Sequence, residues 1–259
     1  MLSWSAKTSA EQAMAEEYRK IFSSDSFYVE YDDKYSKQII AETEGRRMSR
    51  TTLSGKYLAV VSVLNPLGAL FLSGNTKYPD FMYTNGKYYK FAEKDQVTMI
   101  EEDRIDEENL NPKEGWSTIN KTLSLPDELA VFNWSDKYHK VSKAISEPIF
   151  ANSMNKVVDG TNYECDRYES IVKSASGRKD ATIVFDMLYS KGELAMVQSA
   201  IFANGKEYEV NKLIIKKISR NVPENDFKVY EKAKVYAAGI GDMNDLLEIP
   251  VLIGTLNDM

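Results

Sequence analysis

The chain has 259 residues, of which 43% are hydrophobic and 28% are charged, and it carries a formal net charge of −6. The acidic balance argues against nucleic-acid binding, because the strongest basic run is only Arg46-Arg47-Met48-Ser49-Arg50. A single cysteine excludes an internal disulfide, and no apolar run reaches the roughly 18 residues of a membrane-spanning helix.

The opening residues Met1-Leu2-Ser3-Trp4-Ser5 lack the basic region and the apolar core of a signal peptide. This pattern fits a cytosolic protein, and it fits equally well a mature domain expressed without its leader. The single Cys165 does not decide the redox compartment, because exported proteins often lack disulfides. We expect its thiol to be buried and inert.

A helix is predicted at residues 8–23. Ser9-Ala10-Glu11-Gln12 has the spacing of a capping box, in which the serine hydroxyl accepts a hydrogen bond from the Gln12 amide. The apolar residues that follow share one face at helical spacing: Ala10, Ala13, Met14, Tyr18, Ile21 and Phe22.

Antiparallel hairpins are predicted for most of the remaining chain. Asn85-Gly86 separates two aromatic runs, and an Asn-Gly pair accepts positive φ at both central positions of a tight turn. Gly192 and Gly205 lie in similar turns. The first strands are predicted within residues 27–100, at 38–43, 46–53, 81–84, 87–92 and 96–100. The closing strands are predicted within residues 156–221, at 156–159, 162–172, 181–189, 194–202 and 206–219.

Residues 109–134 predict a helical insertion between these two sets of strands. Asn111-Pro112-Lys113-Glu114 places proline at the first helical position and glutamate in the first turn, where both are favourable. A second short helix is predicted from Ser124, with Pro126 in its first turn, and it carries Leu129, Val131 and Phe132.

Residues 236–259 form a C-terminal extension that reads as a short helix or a loosely held tail. We predict one domain over residues 1–259. Its fold class is α+β, with a strongly curved antiparallel β-sheet closed by the N-terminal helix and the helical insertion.

Two closing strands carry apolar residues on both faces. A sheet exposed on one side should alternate cleanly between apolar and polar residues. Either a strongly curved sheet encloses helices and keeps a partly apolar outer face, or that outer face meets another chain. In the strand 181–189, one face holds Ile183, Phe185, Met187 and Tyr189, and the other holds Val184 and Leu188. In the strand 194–202, one face holds Leu194, Met196 and Phe202, and the other holds Val197 and Ile201.

The sequence contains no G-x-S-x-G elbow, Walker loop or dinucleotide fingerprint. Glu164, Asp166 and Glu169 form an acidic cluster, but strand alternation places Glu169 on the face opposite the other two. We expect these carboxylates to pair with Arg167 or Lys173 across strands. The chain is therefore predicted to be non-enzymatic, with no metal site and no cofactor.

Short sequence segments within about residues 10–235 resemble one known superfamily. Phe27-Tyr28-Val29-Glu30-Tyr31 is similar to its first strand, and the segment from Tyr83 to Phe91 is similar to its first hairpin. The segment from Asp186 to Leu194 is similar to its late hairpin, and the run from Ile218 to Phe227 to its exit towards the last strand. Together with the order of predicted elements, these segments resemble the LolA/LolB lipoprotein-carrier superfamily.

That resemblance implies a half-barrel of about eleven strands, closed by helices, that holds acyl chains in an apolar cavity outside the cytoplasm, in the periplasm or cell envelope. It also implies an arginine that tethers the helical lid, for which Arg46, Arg47 and Arg50 are candidates by location only. The extension after Tyr236 has no counterpart in the superfamily pattern.

The first functional hypothesis is binding of a lipid or an acylated lipoprotein, with an envelope protein as a possible further partner. The expected lining of the cavity is Leu58, Val60, Leu70, Phe81, Tyr83, Tyr89, Phe91, Trp116, Phe185, Met187, Met196 and Phe202. The alternative is a structural or protein-interaction module of the cell envelope with the same fold, a filled core and no ligand.

Overall fold

The computed structural model describes residues 9–54, 57, 79–93, 96–101, 125–134, 145–173, 179–203, 206–227 and 234–237. Antiparallel sheet dominates these residues and helices are few, which confirms the predicted fold class at this coarse level. Several predictions fall outside the described residues: the helix at 111–123, the lining residues Leu58, Val60, Leu70 and Trp116, and the extension beyond residue 237.

The described elements are numbered here in chain order. The helices are α1 (Ser9–Phe22) and α2 (Asp127–Ala130), with a 3-10 helix at Glu224–Phe227. The strands are β1 (Ser26–Asp32), β2 (Ser36–Thr43), β3 (Arg46–Leu53), β4 (Phe81–Thr84), β5 (Lys87–Glu93), β6 (Gln96–Glu101), β7 (Ile149–Val158), β8 (Thr161–Lys173), β9 (Lys179–Ser190), β10 (Glu193–Ala203), β11 (Lys206–Ser219) and β12 (Lys234–Ala237).

The chain forms two compact units, each made of two separate segments. Unit 1 combines residues 1–34 with 125–220, and unit 2 combines residues 35–124 with 221–259. The prediction of one domain over residues 1–259 stays a prediction. Unit 1 orders its strands β1-β11-β10-β9-β8-β7, with every neighbouring pair antiparallel.

Unit 2 orders its strands β12-β6-β5-β4-β3-β2. All its neighbouring pairs are antiparallel except β6 and β12, which run parallel. The Arg46 guanidinium donates to both carboxylate oxygens of Glu224, at 2.7 and 3.1 Å, and lies over the Phe227 ring at 5.1 Å from its centroid. This contact holds the 3-10 helix against β3.

Within the described ranges, four strand pairs are closed by two-residue turns in which both residues have positive φ. The predicted Asn85-Gly86 turn is one of them, with φ of 53° and 71°. Both angles lie in the left-handed region, where glycine carries no steric penalty and asparagine only a small one. The other turns are Glu44-Gly45, Asp159-Gly160 and Lys191-Gly192.

Strand β7 begins at Ile149, seven residues before its predicted start at Lys156. Its first half alternates poorly, since Asn152, Ser153 and Asn155 interrupt the apolar pattern. Among the described strands β7 pairs with β8 alone, so most of its side chains remain exposed or half-buried. A polar edge strand of this kind lacks the apolar alternation by which strands are recognised in sequence.

A bulge in β10 corrects one predicted face. Leu194 pairs with Tyr189, but Met196 pairs with Leu188, so Ala195 is the extra residue. The bulge reverses the alternation and places Leu194 on the Val197 face. The prediction that Leu194 shares a face with Met196 and Phe202 was therefore wrong.

Helix α2 is shorter than the predicted helix from Ser124. Pro126 is extended, with φ of −60° and ψ of 151°, so the helix begins only after it. The single turn that follows buries Leu129 fully, and Val131 and Phe132 are also buried.

The β7–β8 hairpin curls over one face of the unit 1 sheet. Val158, near its tip, packs in one cluster with Leu188 of β9 and Met196 of β10. Asp159 in the turn also forms an ion pair with Lys212 of β11, at 2.5 Å. The tip of the β7–β8 hairpin therefore contacts three strands beyond its own pair, β9, β10 and β11.

Candidate functional site

One side of the unit 1 sheet, which we call the helix face, packs against α1 and α2. Cross-strand pairing places Phe185 opposite Ser199 and Met187 opposite Val197, with Val197 in turn opposite Leu213. Phe185 is 1% exposed and Met187 is fully buried, although no second sheet covers them among the described residues. Other members of this face are Phe27, Val29 and Tyr31 of β1.

The helices cover this face mainly through aromatic rings. The Phe22 ring lies 5.5 Å from that of Phe27 and 5.9 Å from that of Phe132. The Tyr18 ring lies 5.6 Å from Phe132 and 6.4 Å from Tyr189. We call α1 together with residues 125–133 the helical layer.

Three described polar contacts fix the helical layer in place. The Ser199 hydroxyl donates to Glu128 Oε1 at 2.7 Å, and both residues are buried. The Asn133 amide donates to the Phe22 carbonyl at 2.7 Å, and the Leu194 backbone N–H donates to Tyr18 Oη at 2.9 Å. The first and third contacts join the layer to β10, whereas the second joins its two parts.

The helix face becomes polar where β8 and β9 meet. Asp166 is 2% exposed and accepts a hydrogen bond from the Ser153 hydroxyl at 2.6 Å. Tyr189 is also 2% exposed, and its hydroxyl has no hydrogen-bond partner among the described residues. Burial raises the pKa of Tyr189 well above its ordinary value, and the nearby Asp166 carboxylate raises it further.

The opposite side of the sheet, which we call the ion-pair face, has a buried carboxylate at its centre. Asp186 accepts hydrogen bonds from Lys156 Nζ at 2.6 Å and from two Arg167 nitrogens at 2.7 and 2.8 Å. Burial alone would raise the pKa of Asp186, but these hydrogen bonds outweigh it and lower the pKa. The same contact with Asp186 raises the pKa of Arg167.

Beneath the curled hairpin, the ion-pair face carries a small apolar cluster of Val158, Cys165, Leu188 and Met196. Burial raises the pKa of the Cys165 thiol to about 12, and the charge of Asp186 adds to this effect. The expected burial of Cys165 is confirmed. A thiol with this pKa is protonated at neutral pH and is a poor nucleophile.

Further along the ion-pair face, three apolar side chains are exposed to solvent. Ile171 and Phe202 both flank Thr182 in the register of β8, β9 and β10, and Ile149 lies opposite Glu169. Their exposed fractions are 70% for Ile149, 37% for Ile171 and 44% for Phe202.

The structure divides the predicted lining residues between faces. In unit 1, Phe185 and Met187 lie on the helix face, whereas Met196 and Phe202 lie on the ion-pair face. Met196 is buried in the cluster under the curled hairpin, and Phe202 is largely exposed.

In unit 2 the predicted lining residues also separate into two pairs. Phe81 and Tyr83 point to one side of the β4–β5 hairpin, and Tyr89 and Phe91 point to the other. Alternation across the register dictates this separation, since Met82 of β4 lies opposite Tyr89. The described part of the predicted lining therefore does not form one surface.

The three arginines that were candidates for tethering a lid lie in unit 2, and their described contacts are within that unit. Arg46 holds the 3-10 helix through Glu224, and the Arg47 guanidinium lies 5.2 Å from the centre of the Tyr83 ring. Arg50 lies on β3, with its Nε atom buried. None of these described contacts reaches a helical lid.

The acidic cluster is arranged by face as predicted, with Glu164 and Asp166 on one side of β8 and Glu169 on the other. The expected cross-strand partner Arg167 instead binds Asp186 and lies 3.6 Å from Glu207. Across the part of the chain that the structure describes, no group of three metal-ligating side chains is found, and no helix is long and apolar enough to cross a membrane.

Sequence reasoning missed the polar residues that matter most in unit 1. Glu128, Ser199 and Asp186 each find their partner far along the chain, and no local spacing announces such a pair. A usable signal was present for Asp186, because it is the only charged residue in the apolar run 181–189.

Comparison with known proteins gives no match in sequence, either to a protein-family model or to a curated protein. The resemblance to the LolA/LolB superfamily therefore remains a prediction carried by the element order and by the hairpins described above.

Proposed function

We propose that this protein binds the acyl chain of a lipid or of an acylated lipoprotein, without catalysing a reaction, and that the chain lies between the helical layer and the helix face of unit 1. One observation carries the proposal: among the described residues, a largely apolar sheet face is covered by one helix and one short helical turn. Phe185 and Met187 are thus buried beneath two short pieces of the described chain.

The helix face is filled by side chains when no ligand is bound, so binding requires the helical layer to move. The two polar contacts that join the layer to β10 oppose this movement by about 0.5–1.5 kcal/mol each. Burial of ten methylene groups of an acyl chain would contribute about 8 kcal/mol. An acyl chain can thus offset these contacts and part of the aromatic packing that is lost.

The curvature that a half-barrel needs is supported within unit 1 by the curled β7–β8 hairpin, whose Asp159 pairs with Lys212 of β11. We extend the proposal to a half-barrel fold of the LolA/LolB kind and to a place outside the cytoplasm, in the periplasm or cell envelope. The order of the predicted helices and strands and the amino-acid sequences of the hairpins support this extension.

Displacement of an uncharged naphthylamine dye tests the proposal. Purified protein should enhance the dye's fluorescence, and an added long-chain amphiphile should reverse the enhancement. Phe132→Ala removes a ring that packs on Phe22 and Tyr18, so it should loosen the helical layer and increase dye affinity about threefold or more.

The matched control is Leu188→Ala, which removes a fully buried side chain from the ion-pair face. It should destabilise the fold without changing dye affinity. Absence of dye binding by wild type and by Phe132→Ala, together with no amphiphile in native mass spectra, would reject the proposed function.

A second candidate function is protein interaction, and the exposed apolar residues of the ion-pair face favour it. Ile149, Ile171 and Phe202 lie on one side of neighbouring strands, where they increase the area available to a partner. Under this function the protein should carry no amphiphile, and the double change Ile149→Ser with Phe202→Ser should abolish its cross-linking to envelope proteins. Unchanged cross-linking would exclude this candidate.

A further inference from the structure

The polar end of the helix face contains a buried hydroxyl that no described group satisfies. Tyr189 is 2% exposed, and its Oη has no hydrogen-bond partner among the described residues. A buried hydroxyl without a partner costs about 1–3 kcal/mol, so such a group is uncommon unless something else binds it.

A buried acceptor lies beside this hydroxyl. Tyr189 is paired with Glu164 and Met187 with Asp166, so Tyr189 and Asp166 are diagonal neighbours on adjacent strands and share the helix face. Diagonal neighbours in an antiparallel pair lie about 7–8 Å apart, within reach of a tyrosine side chain and a small polar group between them. Asp166 is 2% exposed.

The residue that covers this polar end belongs to α1. The Tyr18 ring lies 6.4 Å from the Tyr189 ring, and its Oη accepts a hydrogen bond from the Leu194 N–H at 2.9 Å. Movement of α1 would uncover two donors, the Tyr189 hydroxyl and the Leu194 N–H, next to the Asp166 carboxylate. All three would lie at one end of the apolar surface proposed for the acyl chain.

We propose that Tyr189, Asp166 and the Leu194 N–H bind the head of the acyl ligand and select an uncharged head that offers both a carbonyl oxygen and a hydroxyl or amide N–H. The carbonyl accepts from Tyr189 and Leu194, and the hydroxyl or amide donates to Asp166. A monoacylglycerol and a primary fatty amide both have this chemistry. This inference rests on the proposed function.

The charges around the polar end disfavour an anionic head. Glu164 is the cross-strand partner of Tyr189, and Glu193 immediately precedes Leu194. Burial raises the pKa of Tyr18, and the negative charges of Glu17 and Glu193 raise it further, so both carboxylates act on this end of the face. The nearby cations Lys156 and Arg167 are engaged with Asp186 on the opposite face. A free fatty acid or a phosphate head would therefore meet the negative charges of Asp166, Glu164 and Glu193.

Competition against the uncharged naphthylamine dye tests this selection with three ligands of equal chain length: a monoacylglycerol, a primary fatty amide and a fatty acid at pH 8. The two uncharged ligands should displace the dye at concentrations at least about tenfold lower than the fatty acid. Tyr189→Phe should weaken the uncharged ligands about tenfold, the loss of one buried hydrogen bond. Asp166→Asn should improve fatty-acid binding. The ratio between the displacing concentrations of the fatty acid and of the uncharged ligands should therefore become smaller.

The matched control is Tyr163→Phe, which removes a tyrosine hydroxyl from the opposite, ion-pair face, on strand β8. It should leave the ligand ratio unchanged. Tyr189→Phe should keep or raise the thermal midpoint, since it deletes an unsatisfied hydroxyl, so lost affinity would not reflect unfolding.

The possible outcomes separate this inference from the function on which it rests. A fatty acid that binds as tightly as the monoacylglycerol, or a Tyr189→Phe variant with unchanged affinity, overturns the head-group site while acyl-chain binding stands. A protein that binds neither the dye nor any of the three ligands overturns both.

Discussion

The two faces of the unit 1 sheet bury apolar residues by different means. The helix face is covered by α1 and α2, which are separate pieces of chain attached by aromatic packing and a few hydrogen bonds. The ion-pair face is covered by its own hairpin and by the stems of Lys156 and Arg167, whose charged ends meet at Asp186. We expect a cover held by charges within the sheet to stay in place and a cover of separate helices to move more readily. This contrast is why we propose the helix face for the ligand.

The largest expected effect is a loss of packing on the helix face. Phe185→Ala removes a ring that is 1% exposed, and we expect the free energy of unfolding to fall by about 3–5 kcal/mol. Urea denaturation followed by circular dichroism measures the change. Phe202→Ala, at a position 44% exposed on the other face, should cost less than about 1 kcal/mol. Equal losses in the two variants would contradict the assignment of core and surface.

The next effect concerns the charges of the ion-pair face. Asp186→Ala leaves Lys156 and Arg167 facing each other without their carboxylate, so stability should fall by about 3 kcal/mol. Asp159→Ala removes an exposed partner of Lys212 and should cost less than about 1 kcal/mol. A small loss for Asp186→Ala in the same urea titration would show that the two cations are solvated without it.

The ion-pair face should also make stability depend on acidity. The pKa of Asp186 is lower in the folded state than in the unfolded chain, where it is about 4, so folding favours the charged carboxylate. The contribution of Asp186 to the free energy of unfolding is fully present above about pH 4. It is lost as the pH falls through the lower pKa of the folded state. Urea midpoints measured between pH 6 and pH 2.5 should fall less steeply in Asp186→Asn than in wild type. Parallel curves would remove Asp186 as a source of acid sensitivity.

The smallest effect is on chemistry rather than on stability. Because the pKa of the Cys165 thiol is raised to about 12, a disulfide reagent at pH 8 should leave folded protein unmodified for hours and react within minutes in urea. The release of coloured thiolate measures both rates. Rapid modification of the native protein would mean that the β7–β8 hairpin opens readily.

Much of the sheet was predictable from sequence because strands and turns are local. The pair Asn85-Gly86 predicted its turn, and the alternation of residues 181–189 gave the correct faces of β9. Strand β7 was found only in part, because a polar edge strand carries little periodic signal. The Ala195 bulge gives no signal in sequence and reverses every face after it.

The candidate site was less predictable than the fold. The expected lining treated every large apolar residue as facing one cavity, but register assigns Phe185 and Phe202 to opposite faces. The polar residues of the helix face could not be chosen in advance either. Asp166 and Tyr189 are ordinary strand residues until pairing makes them diagonal neighbours on a buried face. Such relations arise from register, which is a property of strand pairs.

The pairing of β1 with β11 has a consequence for the order of assembly. Tyr28 is paired in register with Ser219, so the first strand cannot pair with β11 until nearly the whole of unit 1 has left the ribosome. At about 5–20 residues per second, β1 must wait roughly ten seconds or more. Contacts this distant in sequence also close slowly. During that interval the edge of β1 that pairs with β11 has no partner strand, and an unpaired strand edge is prone to associate with other chains.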